Sequence, residues 1–324
     1  MSAFPLQKYI PAASRIAAGF MGMGGSWDHT PITEKHIKKA HKLIDAALES
    51  GINFFDHADI YMMNKSEQVF GCVLAERPEL REQLFIQTKC GIRFADDEGD
   101  LTRYDFSKDW ILSSVDGSLK RLNVEYIDIL LLHRPDPLME PEEIAEAFAI
   151  LKKAGKVRYF GVSNFHLHQI GYLQSFLPDP LVANQIQLSL AHRDWIEQGI
   201  MFNNEKGKDL NFSPGILEYC IMNDVQVQAW GSMAHGIYSG QSVKKQPKAV
   251  KKTAELVASL ANKYETSLEA IVVGWLLRHP AAIQPVVGTT KPGRIRACAQ
   301  ALNIELTRED WYSLFVTSRG EPVP

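Results

Sequence analysis

The sequence contains little cysteine and no long apolar run, and each of these shortages excludes a class of protein. Four cysteines occur in 324 residues, and no two of them form a CxxC pair. They are Cys72, Cys90, Cys220 and Cys298. This spacing provides neither a disulfide framework nor a zinc cluster, and it is typical of buried thiols in a reducing compartment. The longest apolar stretch, residues 127–132, contains Asp128 and is far too short to span a bilayer.

The chain also carries no excess of charge of one sign. Lys and Arg total 35 and Asp and Glu total 38, which gives a formal net charge of −3. Without a basic excess there is no electrostatic footprint for nucleic acid or an anionic membrane, so we expect neither as a partner. The first five residues show no basic stretch leading into an apolar run. We therefore expect a cytoplasmic protein.

What the sequence does contain is a regular alternation of short apolar runs and longer segments of helical period. Parallel strands buried on both faces are predicted at residues 16–21, 52–56, 84–89, 127–133, 157–162, 181–185, 225–230 and 283–288. Helices are predicted over residues 34–50, 66–76, 108–122, 141–153, 168–176, 214–223, 249–264, 267–277 and 292–302. No strand leads into the GxGxxG of a doubly wound dinucleotide-binding sheet, and no linker divides the chain. The pattern predicts an α/β protein, a (β/α)8 TIM barrel that forms one domain over residues 1–324.

Residues able to do acid–base chemistry stand where three successive strands end. The second, third and fourth strands end at Asp56, Lys89 and His133, and Tyr61 follows shortly after Asp56. Because the C-terminal strand ends of such barrels build the active site, we expect these four side chains to converge. Asp56 would keep Lys89 charged, and the ammonium would lower the pKa of the Tyr61 phenol. Such a unit can protonate a carbonyl oxygen, and a cofactor would then supply the hydride because no protein nucleophile is evident.

The other strand ends fit a nicotinamide cofactor. Ser163, Asn164 and Gln185 offer hydroxyl and amide groups for a carboxamide, and Trp230 offers a flat surface for stacking. Residues 288–294 form a turn of small residues that leads into a helix N-terminus beside Lys291 and Arg294. Barrels of this kind commonly bind phosphate there.

Five motifs in order resemble those of the aldo-keto reductase family, in its bacterial oxidoreductase branch. They are FFDHADIY at residues 54–61, IQTK at 86–89, DILLLHRP at 128–135, GKVRYFGVSNF at 155–165 and GTTKPGRI at 288–295. The resemblance covers about residues 15 to 315. It implies NADPH-dependent reduction of a small-molecule aldehyde or ketone, a catalytic tetrad of Asp56, Tyr61, Lys89 and His133, and Tyr61 as the proton donor.

The resemblance also implies a set of cofactor contacts. Ser163, Asn164 and Gln185 would bind the nicotinamide amide, and Trp230 would stack on the ring. The further contacts would be Gly231, Ser232 and Met233 at the pyrophosphate, Gly288, Thr289, Lys291 and Arg294 at the adenosine end, and Gly22 and Met23 on the ribose side. This chain departs from the family at Gly288, where many members have Lys, and at Cys298, where many have Asn. The loop over residues 230–236 also differs from the commoner pattern.

Other functions remain open on the sequence alone. A binding or regulatory subunit could keep the same fold and cofactor with little turnover. A lyase could use Lys89 to form a Schiff base, although a charged Lys89 would be a poor nucleophile. We expect no metal, because His57, Asp59 and His133 lack the further ligands that a zinc site needs. The substrate walls are expected from Trp27, Trp110, His192 and the segments 190–213 and 232–247, because loops on this face vary with function.

Overall fold

Eight parallel strands close into a barrel in the order in which they occur along the chain. The computed structural model describes residues 4–95 and 99–324. The strands are β1 (Ala17–Gly19), β2 (Phe54–Asp56), β3 (Phe85–Cys90), β4 (Ile127–Leu132), β5 (Val157–Ser163), β6 (Leu181–Gln187), β7 (Gln226–Trp230) and β8 (Gln284–Gly288). Each strand pairs with its neighbours in sequence, and β8 pairs with β1. The predicted (β/α)8 barrel is confirmed, and all eight predicted strands are present.

Helices occupy the outside of the barrel. They are α1 (Glu34–Glu49), α2 (Lys65–Glu76), α3 (Lys108–Leu122), α4 (Pro141–Lys153), α5 (Leu167–Gln174), α6 (Asp194–Ile200), α7 (Ile216–Met222), α8 (Lys248–Lys263), α9 (Leu268–Leu277), α10 (Pro292–Ala299) and α11 (Arg308–Arg319). A small hairpin of Ile92–Arg93 with Arg103–Tyr104 follows β3. Among the described residues, no helix combines the length and the apolar character that a membrane crossing requires.

The nine predicted helices are present, some with shifted ends, and two further helices were not predicted. The helix expected from Pro214 begins only at Ile216, because Gly215 before it has a positive φ of 77°. The short α6 falls inside the segment expected to be a loop. The helix α11 carries signals that were overlooked: Thr307 caps it by accepting a hydrogen bond from the Asp310 N–H, and Gly320 ends it with a φ of 86°.

The core has two parts. The larger part lies between the strands and the helices, where residues such as Phe55, Leu130 and Val287 are buried. A smaller cluster contains Phe54, Ile129 and Leu131 together with apolar residues of segment 4–13. That segment therefore packs against the start of the strands and leaves their C-terminal ends free to form a site.

Candidate active site

The side chain of Lys89 connects the groups that end β2 and β3. Its Nζ donates to both carboxylate oxygens of Asp56 at 2.8 Å, to the His57 carbonyl at 2.7 Å and to the Tyr61 hydroxyl at 3.1 Å. Lys89 and Asp56 are only 1% and 2% exposed. Parallel pairing of β2 with β3 and of β3 with β4 brings these strand ends side by side. Such a buried ion pair is fixed in geometry because every donor on the ammonium has an acceptor.

Tyr61 and His133 face each other across the same site. Their rings meet edge to face with centroids 5.9 Å apart. The structure therefore brings together the four side chains predicted to converge, with Tyr61 between the imidazole and the ammonium.

The pKa values of these groups follow from burial and from their neighbours. Burial raises the pKa of the Tyr61 phenol, and the opposing effect of Lys89 is smaller. Lys89 lowers the pKa of Tyr61 as expected, but burial outweighs it and the net direction is upward. Burial lowers the pKa of His133 well below its ordinary value, and Lys89 and Arg134 lower it further, so the imidazole is neutral. Burial alone would lower the pKa of Lys89, but Asp56 and Tyr61 together raise it above the ordinary value.

A chain of buried glutamines inside the barrel holds Asp56 from below. Gln87 Nε2 donates to Asp56 Oδ1 at 2.6 Å, and Gln185 Nε2 donates to the same oxygen at 3.0 Å. Gln87 and Gln228 exchange hydrogen bonds at 2.9 and 3.0 Å. Gln228 donates on to Gln284 at 2.9 Å, and Gln284 donates to the Ser14 carbonyl at 2.7 Å. Because barrel interiors are usually filled by branched apolar residues, this polar chain indicates a constraint on Asp56.

A cavity of about 680 Å³ opens above the four side chains. Asp56, Tyr61 and His133 lie on its wall. Most of the residues predicted for a cofactor line the same cavity: Ser163, Asn164, Gln185, Trp230, Gly231, Ser232, Met233, Gly288, Thr289 and Arg294. A Cβ added to Gly288 would meet no atom within 4 Å, so the wall there has room that a side chain could occupy.

Three of the predicted cofactor residues do not line this cavity. Met23 is 1% exposed and belongs to the hydrophobic core, so its side chain is not available to a ribose. Gly22 is partly exposed, but a Cβ at this position would lie 2.9 Å from the Thr290 side chain, and Gly22 does not line the cavity. Lys291 is exposed as the N-cap of α10. Gly19 and Met21 line the cavity in place of Gly22 and Met23.

The amide side chains near β5 and β6 are already engaged. Asn164 adopts a positive φ of 62°, donates to the His133 carbonyl at 3.1 Å and accepts from Trp230 Nε1 at 2.9 Å. Gln185 gives its Nε2 hydrogens to Asp56 and to Gln228. This geometry fixes the indole of Trp230. Among the described residues no group donates to the side-chain oxygen Oε1 of Gln185, so that oxygen can accept from a carboxamide.

Arg294 has an acidic neighbour that sequence reasoning missed. Its Nε lies 3.3 Å from a carboxylate oxygen of Glu269, and its guanidinium donates to the Ser239 carbonyl at 2.6 Å. Glu269 is in the first turn of α9, where an acid is favourable for the helix alone, so nothing in the sequence marks it as a partner of Arg294. His235, Gly236 and Gln241 also line the cavity and were not predicted.

His57 and Asp59 are buried behind the site. Neither ring nitrogen of His57 has a hydrogen-bond partner among the described residues, and the ring packs against Phe20 and Phe70. Burial lowers the pKa of His57 to about 3, so the ring is uncharged. Burial and the nearby Glu67 raise the pKa of Asp59 well above its ordinary value. In the described part of the chain, no three His, Cys, Asp or Glu side chains are grouped so that they could hold a metal ion.

A second cavity, of about 830 Å³, adjoins the first. The two share Arg134, Asn164 and Trp230 as a common wall. The second is lined by His192 and by residues 210–213, which belong to a segment expected to form substrate walls. Trp27 and Trp110 line neither of these two cavities.

The closed barrel and the cluster at its rim define a (β/α)8-barrel enzyme. A model of the Aldo/keto reductase family matches residues 15–314. An uncharacterized oxidoreductase of Bacillus subtilis, YcsN, is 40% identical over 285 residues, which are 87% of this chain and 89% of that protein. A 6-dehydroglucose reductase of Agrobacterium fabrum is 34% identical over 318 residues, 96% of each chain. The glycerol dehydrogenase structure from Gluconobacter oxydans matches with a TM-score of 0.76 and 26% identity, covering 96% of this chain and 94% of that one. The chain belongs to the aldo/keto reductase family of oxidoreductases.

Proposed function

We propose that this oxidoreductase uses NADPH to reduce the carbonyl of a small aldehyde or ketone to an alcohol. The observation that carries the proposal is the Lys89 ammonium, which bridges the Asp56 carboxylate and the Tyr61 hydroxyl beside a neutral His133. This is an arrangement for delivering a proton to an oxygen in a cavity. NADPH, when bound, supplies the hydride that attacks the carbonyl carbon.

The residues that line the first cavity, of about 680 Å³, fit a nicotinamide dinucleotide. Trp230, fixed by Asn164, would stack on the nicotinamide, and Ser163, Asn164 and Gln185 would hold its amide. Gly231, Ser232 and Met233 would cover the pyrophosphate, and the turn at Gly288 and Thr289 would contact the adenosine end. Arg294 would hold the 2′-phosphate that distinguishes NADPH from NADH, because a guanidinium binds phosphate through paired hydrogen bonds.

Each of the four central side chains has a separate task in this proposal. The Tyr61 hydroxyl donates its proton to the developing alkoxide. Lys89 stabilises the phenolate that remains, because an adjacent positive charge favours the ionised form. The neutral His133 donates a hydrogen bond from its ring to the same substrate oxygen and so orients the carbonyl. Asp56, held by Gln87 and Gln185, keeps the ammonium in position.

The contacts of Lys89 also disfavour a lyase that forms a Schiff base. Lys89 Nζ has acceptors in Asp56, His57 and Tyr61, and its pKa is raised, so its nitrogen has no free lone pair for attack on a carbonyl. A binding subunit without turnover would not need these contacts between an ammonium and a phenol.

The test is Tyr61→Phe, which removes the hydroxyl and keeps the ring. General acid catalysis contributes roughly 10²- to 10⁴-fold, so we expect kcat to fall by about that factor while the affinity for NADPH stays the same. Tyr159→Phe is a matched control, because that hydroxyl donates to the Tyr9 carbonyl at 2.9 Å in the cluster at the opposite end of the barrel. More than about a third of wild-type kcat in Tyr61→Phe would refute the proposed acid.

A further inference from the structure

Arg134 is a cation in the wall between the two cavities, and it has no acidic partner in the part of the chain that the structure describes. It follows His133 directly and lines both cavities. Its guanidinium carbon lies 5.8 Å from the centre of the Trp230 ring. Within the described ranges 4–95 and 99–324, no carboxylate lies within ion-pair distance of Arg134, and no acceptor lies within hydrogen-bond distance.

Three other cations that are buried or partly buried in this barrel have acidic partners. Lys65 lies 2.7 Å from Asp28, Arg121 lies 2.7 Å from Glu67, and Arg294 lies 3.3 Å from Glu269. Withdrawing a guanidinium from water without a partner is unfavourable, so its five N–H donors are available to a ligand that enters the cavity. Arg134 is therefore arranged to bind rather than to stabilise the fold.

The second cavity offers further hydrogen-bond donors around Arg134. His166, His168, Asn211 and Ser213 line it, and the apolar part of its wall consists of Phe165, Ile186, Leu210, Phe212, Ile216 and Trp230. The Nδ1 of His166 accepts from the Gln169 N–H at 3.3 Å, which leaves its Nε2 free to donate. Among the described residues, the acid on this wall is Asp194, which is exposed at the first position of α6. The donors and the guanidinium can bind an anion, and the apolar side chains can pack against the carbon chain that carries it.

We propose that Arg134 and the second cavity bind the anionic group, a carboxylate or a phosphate, of the carbonyl substrate. The inference rests on the proposed function, since it requires a carbonyl reduced beside Tyr61. The reacting carbonyl lies in the first cavity, and the chain of the substrate passes the common wall so that its anionic end reaches Arg134.

The test compares matched aldehydes in the full-length protein with NADPH. Succinate semialdehyde and butanal differ by a carboxylate, and glyceraldehyde 3-phosphate and glyceraldehyde differ by a phosphate. A hydrogen bond between charged groups corresponds to roughly 10- to 150-fold in affinity. We expect wild-type kcat/KM to favour the anion of at least one pair by about tenfold or more, and that pair identifies the anionic group.

The variants Arg134→Met and Arg134→Lys isolate the charge. Arg134 also helps to keep the pKa of His133 low, so its removal affects both members of a pair. The readout is therefore the ratio of anion to neutral aldehyde, which should fall close to one in Arg134→Met and recover in part in Arg134→Lys. Equal ratios in wild type and Arg134→Met would overturn the inference. A wild-type preference for glyceraldehyde over its phosphate, with no preference in the other pair, would also overturn it.

A binding measurement separates this inference from the proposed function. Titrations by isothermal calorimetry should show succinate or glycerol phosphate binding to wild type, and at least about tenfold more weakly to Arg134→Met. If neither aldehyde pair is reduced but this difference in binding is present, the proposed function fails and the anion site stands. If the aldehydes are reduced and both anions bind the two proteins equally, the anion site fails and the proposed function stands.

Discussion

The hydrogen-bonded glutamines beneath Asp56 allow an effect on stability to be distinguished from an effect on catalysis. Gln87→Met keeps the volume of a fully buried side chain but removes the hydrogen bond of 2.6 Å to Asp56 and both bonds to Gln228. Asp56 Oδ1 keeps the donors of Lys89 and Gln185, whereas one N–H of Gln228 is left without an acceptor. The carboxylate can then move away from the position at which it orients Lys89.

The size of the effect follows from these contacts. Losing a hydrogen bond to a charged group costs roughly 1.5–3 kcal/mol, and leaving a buried N–H unpaired costs about 1–3 kcal/mol. With about 2.1 cal/mol/K of unfolding entropy per residue, a chain of 324 residues should lose about 4–9 °C in Tm. A displacement of about 1 Å at a catalytic group can cost about 100-fold, so we expect kcat to fall by about 10- to 100-fold.

The matched control is Gln226→Met. Gln226 is equally buried, but its amide donates to the Val227 and Ala282 carbonyls at 2.8 Å and accepts from the Leu6 N–H at 3.3 Å, with no contact to Asp56. It should lose a similar amount of Tm and keep wild-type kcat. Thermal unfolding gives the Tm of each variant, and NADPH consumption measured well below the lower Tm gives kcat. If Gln87→Met keeps full kcat, or if Gln226→Met loses as much kcat as Gln87→Met, the hydrogen-bonded glutamines only stabilise the fold and do not position Asp56.

Two further predictions concern cofactor affinity and pH. Glu269→Gln removes the acid beside Arg294, so NADPH should bind about three- to tenfold more tightly while the affinity for NADH is unchanged. Arg294→Ala should weaken the binding of NADPH but not of NADH. Titrations of tryptophan fluorescence measure the affinity of each variant for each cofactor. Equal changes for the two cofactors would show that Arg294 does not contact the 2′-phosphate. The buried neutral His57 has a pKa of about 3, lowered from 6.5, so the unfolded chain takes up its proton first as the pH falls. Stability should therefore decrease from about pH 6.5 downwards, and His57→Leu should reduce that slope by about 1.4 kcal/mol per pH unit in urea unfolding. An unchanged slope would mean that His57 is protonated in the folded protein.

The alternation of strands and helices could be predicted from the sequence because it is a local property. An apolar run such as residues 127–132 is buried on both faces only in a parallel sheet, and eight such runs between helical segments specify a closed barrel. The convergence of Asp56, Lys89 and His133 follows from the same fact, since parallel strands end at one rim. The helix α11 could also have been predicted, because Thr307 and Gly320 are ordinary cap residues.

Contacts between distant parts of the chain were decided only by the tertiary structure. Gln87 and Gln228 are 141 positions apart in the sequence, and Gln185 and Asp56 are 129 positions apart. Their hydrogen bonds therefore cannot be predicted from any spacing in the sequence. Arg294 has an acidic partner and Arg134 has none among the residues described, and this difference depends on which helix or loop packs beside each. The net direction of the Tyr61 pKa depends on how far burial outweighs one neighbouring charge. The sequence by itself determined which chemical groups lie at the C-terminal rim of the barrel, because the order and the ends of the strands can be predicted from the local pattern of apolar residues. The tertiary structure decided their protonation and partners, because burial and charge pairing are sums over neighbours that the chain brings together only when it folds.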